Sequence, residues 1–103
     1  MVLENFVRLV PNQPKRLKLR NPRIEERQIH DPKTRQLKTV RALVFDCFEE
    51  DGVPTFKQFS TLSEKLATIL LTLCERRARD YIYVEITWRP RDYATEYEVV
   101  QLE

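Results

Sequence analysis

Ten basic side chains crowd into residues 15–41: Lys15, Arg16, Lys18, Arg20, Arg23, Arg27, Lys33, Arg35, Lys38 and Arg41. Only Glu25, Glu26 and Asp31 oppose them, so this segment carries +7. The whole chain carries +2, which leaves −5 for the remainder. Charge sorted in this way suits a polyanion, because cations that replace phosphate counterions release them into bulk water. Flat rings on which bases stack would complete such a surface. Catalysis has less to work with. His30 is the single histidine and sits beside a turn, and one glycine, Gly52, cannot build a phosphate-cradling loop. No Ser or Cys has a histidine placed near it by the pattern. Glu49, Glu50 and Asp51 are hard-cation ligands by type, but carboxylates at a hairpin tip are ordinarily a solvated turn. The reading is binding, with no enzyme activity, no cofactor and no metal.

A chain of 103 residues supports one compact core and one domain. Its 42% apolar and 33% charged residues describe a folded globular chain. Abundant charge and a lone glycine lean toward a heat-tolerant source. Cys47 and Cys74 are too far apart for a metal or redox unit and read as reduced core residues, with one disulfide as the alternative. Met1–Val10 has Glu4 and Arg8 inside its apolar run, unlike a secretory signal. No stretch approaches a membrane span. The expected compartment is the cytoplasm, with no membrane partner.

These residues need elements to position them. Val2, Leu3, Phe6, Val7 and Val10 recur at helical spacing in an arm over residues 1–14, closed by Pro11 and Pro14. The arm could pack on its own domain or on a partner, a second copy included. Alternation at Leu17 and Leu19 starts a strand over Lys15–His30, in which Pro22 marks a bulge. Asp31-Pro32 then signals a turn. Apolar and β-branched residues make Lys38–Glu50 the second strand. Asp51-Gly52 turns it back into Val53–Ser60.

A two-residue turn there sets Cys47 opposite Phe56, Asp46 opposite Lys57 and Val44 opposite Phe59. Leu43, Phe45, Cys47 and Phe56 then point inward, and Val44, Asp46, Phe48, Lys57 and Phe59 outward. Thr61 and Glu64 form a capping box for a helix over Leu62–Arg77. Its apolar stripe is Leu62, Leu66, Ile69, Leu70 and Leu73. Strands over Asp80–Arg89, with Ile82, Val84, Ile86 and Trp88 inward, and Thr95–Leu102 close the chain.

Three strands, a helix and two strands resemble the OB-fold family of single-stranded-nucleic-acid-binding proteins. The likeness covers Lys15–Leu102. It implies a mainly β fold with one helix, a five-stranded Greek-key barrel over residues 15–103 with the arm appended. An open sheet with a helix on one face is the alternative, because one glycine is few for a strongly bent first strand. In that family the ligand lies across strands two and three, between the loops joining strands 1–2 and 4–5. The resemblance therefore assigns phosphate contacts to Lys33, Arg35, Lys38, Arg41, Lys57, Arg89 and Arg91. It assigns stacking to Phe48, Phe59, Trp88 and Tyr93. The implied partner is single-stranded DNA, or RNA after it, held with little sequence preference. The competing reading is a protein-interaction module or small subunit of a replication, repair or viral assembly, meeting its partner through the apolar arm and exposed rings.

Overall fold

Leu17 and Leu19 alternate with Arg16, Lys18 and Arg20, and the leucines are fully buried while the cations face out. That alternation opens β1, Lys15–His30, in a computed structural model that describes residues 5–91 and 95–102. There follow β2 (Leu37–Glu50), β3 (Val53–Thr61), α1 (Glu64–Arg76), β4 (Tyr81–Pro90) and β5 (Thr95–Gln101). The element order is the one expected. All strand pairs are antiparallel and form one sheet in the spatial order β3-β2-β1-β4-β5. Its edges, β3 and β5, are not paired with each other, so the sheet is open.

Pro22 interrupts β1 as its missing donor requires. The β1–β2 register shifts between Arg20 and Arg23, and Asn21 adopts φ 56°, a left-handed conformation that Asn tolerates better than most residues. Asp51 and Gly52 both have positive φ, 51° and 84°, the type I′ turn whose twist suits a hairpin. Glu50 duly faces Val53.

Beyond this turn the expected register fails. The β2–β3 ladder slips between Cys47 and Glu49, where Thr55 and Phe56 together oppose Phe48. Pro54, which cannot donate to a ladder, adjoins this bulge. Past it, Cys47 faces Lys57, Asp46 faces Gln58 and Phe45 faces Phe59. One extra residue inverts every side chain that follows. Phe59, expected outward, is 2% exposed in the core, and Phe56, expected inward, is 91% exposed. Val44 does lie on the face opposite Leu43, yet it is buried too, beside the Arg23–Glu25–Arg27 ion pairs of its neighbour strand.

The core joins Leu17, Leu19, Leu43, Phe45, Cys47, Phe59, Ile82, Val84 and Ile86 of the sheet to Leu66 and Leu70 of α1. The helix begins two residues later than expected. Thr61 stays in β3 and accepts from Ser63 N–H, and Ser63 is the N-cap, its hydroxyl accepting from Leu66 N–H. This start leaves Leu62 exposed, and Ile69 is more than a third exposed beside the buried Leu66–Leu70 line. Leu73 packs against the core.

Residues 6–10 of the arm are extended, with period two in place of the helical spacing expected: Val7 and Leu9 pack on the core, while Phe6, Arg8 and Val10 face out. A helix this short is marginal alone, and edge hydrogen bonds of β3 are available instead. Val7 N–H donates to Gln58 O (2.8 Å), and Gln58 N–H donates to Asn5 O (2.6 Å), making a parallel bridge. Farther on, Asn12 N–H donates to Trp88 O (2.7 Å) on β4. The arm thus lies in the seam between β3 and the β4–β5 hairpin. Both cysteines are free. Among the described residues, no helix is long and apolar enough to cross a membrane.

Candidate nucleic-acid interface

The basic residues of the sequence divide into two populations. From Gln28 to Thr39, β1, its turn and β2 form a ribbon on which nearly every residue is exposed. Asp31 folds the tip, its carboxylate accepting from Lys33 N–H (2.8 Å) and its carbonyl from Arg35 N–H (2.8 Å). Lys33, Arg35 and Lys38 on this ribbon, and Arg41 at its base, are exposed and have no carboxylate partner among the described residues. The other candidates are neutralised. Arg89 pairs with Glu98 (2.8 Å), Arg91 with Glu96 (3.0 Å) and Lys57 with Glu50 (3.1 Å). The β4–β5 end therefore contributes less free charge than its arginines suggest. Glu49 and Glu50, hard-cation ligands by type only, hold Lys18 (2.7 Å) and Lys57.

Of the four expected stacking rings, one keeps its place. Phe48 is half-buried on the outer face. Phe59 is in the core and cannot meet a base. Trp88 is half-buried against the arm, lining a cleft with Val7, Leu9 and Tyr97. Its indole N–H is buried without a hydrogen-bond partner. Tyr93 lies outside the described residues.

The bulge supplies what the expected register lost. Phe56 replaces Phe59 on the outer face and, with Phe48 and Phe6, borders a groove of about 400 Å³. Arg20, Lys57, Asn5 and Gln58 also line it. The Arg20 guanidinium lies 4.7 Å from the Phe48 ring centre, a cation–π contact, and its Nε is buried with no acceptor. An unsatisfied guanidinium N–H beside exposed rings suits an oxygen acceptor on a planar ligand. Phe56 and Phe6 lie outside the notional set because a slipped ladder and an extended arm put them there. Pro54 was the one residue in the sequence that pointed to the slip.

Asp46 forms the floor of this groove. Asn21 Nδ2 donates to it (2.9 Å), Arg23 donates to its other oxygen (3.1 Å), and these bonds hold its carboxyl below the usual carboxylate range. A carboxylate with a lowered folded pKa stabilises the fold above the unfolded pKa and loses that contribution as pH falls through the folded one. Wild type should therefore melt above the Asp46→Asn variant near neutral pH. The lead should shrink as pH drops below about 4, as read from thermal melts of both proteins. A lead unchanged in acid would remove the carboxylate from this account. Cys47, by contrast, is pushed up to about 11 by burial and stays a thiol at neutral pH.

No protein-family model, curated protein or solved structure matches this chain. Function rests on the geometry alone.

A second aromatic and cationic layer covers the neighbouring strands. Phe48 meets Tyr81 edge-on with ring centres 5.3 Å apart. Lys18 stands over the rings of Tyr81 and Tyr83, at 5.8 and 5.1 Å. The alternation of β4 places both tyrosines on this outer face, and the sequence contained that signal.

Proposed function

We propose that the protein is a non-catalytic binder of single-stranded nucleic acid, DNA before RNA, related in architecture to the OB-fold family. The strand order supports this reading: β1, β2 and β3 form a meander, and β4 follows α1 to lie beside β1, the spatial order that a Greek key would have. OB barrels are themselves partly open. The observation that carries the function is the set of four unpaired cations on the β1–β2 ribbon, with a groove walled by phenylalanines farther along β2. Cations already satisfied by carboxylates gain little from a phosphate, whereas unpaired exposed ones release its counterions at no cost in broken ion pairs. Phe56 exposes nearly its whole ring, a large apolar surface in water that stacking on a base would cover.

Binding of a fluorescent oligothymidine to the wild-type protein, titrated against salt, tests the reading. Four phosphate contacts on a single strand give a log–log slope of about −3 or steeper. Absence of binding at low salt, or a flat salt response, would overturn it.

A further inference from the structure

The sequence Arg76-Arg77-Ala78-Arg79 leaves the helix and turns into β4, a cluster of three guanidinium groups outside the ribbon and groove. The helix dipole accounts for Arg76 in the last turn, but not for the two arginines beyond it. Arg76 and Arg77 have no carboxylate partner among the described residues. Arg79 is oriented by Tyr81, donating to its hydroxyl at 2.6 Å, with the guanidinium 5.8 Å from the ring centre. With Tyr83 and Gln101 these residues line a cleft of about 300 Å³.

One ring contact links this cleft to the groove on β2 and β3. Phe48 borders the groove and touches Tyr81, and Tyr81 borders the cleft. The geometry points to a second phosphate-binding subsite at the α1–β4 turn, held by Arg76, Arg77 and Arg79. A strand lying in the groove passes over Phe48 and Tyr81 and delivers a later phosphate to the arginines. Planar guanidinium forks suit phosphate oxygens, which accept two parallel N–H bonds from each. This subsite rests on the single-strand reading above, and it extends the path across β1 and β4 instead of confining it to the ribbon and groove.

The test is the salt slope of the Arg76→Gln/Arg79→Gln variant with an oligothymidine longer than the roughly 4–16 nucleotides of an OB site. Two lost contacts make the slope shallower by about 1.4, close to a 25-fold loss of affinity at 0.1 M salt. Melting near the wild-type temperature confirms an intact fold. Should the double variant melt early, exposed Arg76→Gln alone serves, with about half the slope change. A wild-type slope in a folded variant overturns the subsite, while the single-strand reading stands on the wild-type titration. A wild-type protein that binds no oligonucleotide overturns both.

Discussion

Changing Lys33, Lys38 and Arg41 together to Ala is expected to make the salt dependence of oligonucleotide binding shallower by about 2 log units per log unit. Extrapolated from 1 M salt, where the electrostatic contribution vanishes, this is about a 100-fold weaker complex at 0.1 M. All three side chains are exposed and free of carboxylate partners, so the melting temperature should hardly move. The informative contrast is Arg89→Ala with Arg91→Ala. Those arginines already face Glu98 and Glu96, so their loss should change the slope much less. Equal losses from the two variants would mean that phosphate displaces the β5 carboxylates, and the division into paired and unpaired cations would have no functional weight.

The second large effect separates two phenylalanines three residues apart. Phe59→Ala should destabilise the fold by about 3–5 kcal/mol, because it empties a ring-sized space facing Phe45 in the core. For a domain of this size the melting temperature would fall by more than about 12 °C. Phe56→Ala should cost within about 0.5 kcal/mol of stability, since its ring is almost entirely in water. Its effect belongs to binding, where one lost stacking partner is worth about 1–3 kcal/mol, or roughly 5- to 150-fold in affinity. Calorimetry and an oligonucleotide titration on the two variants read both quantities. If Phe56→Ala were the unstable one, the register itself would be wrong.

These two residues also show how much the sequence disclosed. Element order was legible because periodicity and punctuation agree along the chain: Pro22, Asp31-Pro32 and Asp51-Gly52 each act locally through backbone geometry. Side-chain direction on β3 was not. It depends on a single bulged residue opposite Phe48, whose placement is a compromise between Pro54 and the packing of Phe59 against Phe45 and α1. Apolar character alone cannot choose between Phe56 and Phe59, because either one fills a core position equally well by composition. The arm misled in a similar way. Its helical spacing was real, but the open edge of β3 offered stronger hydrogen-bonding opportunities than an isolated ten-residue helix. Charge density was legible and charge pairing was not, since Glu96 and Glu98 reach Arg91 and Arg89 only once β4 and β5 are side by side.

The arm also sets a chronology. Residues 5–12 are synthesised before their backbone partners, Gln58 and Trp88, which come from strands made dozens of residues later. Closing such long loops is entropically expensive until the strands between are already ordered. The arm therefore settles after the strands it pairs with. Until it does, β3 keeps a bare edge, and only the docking of Val7 and Leu9 withdraws that template from neighbouring chains.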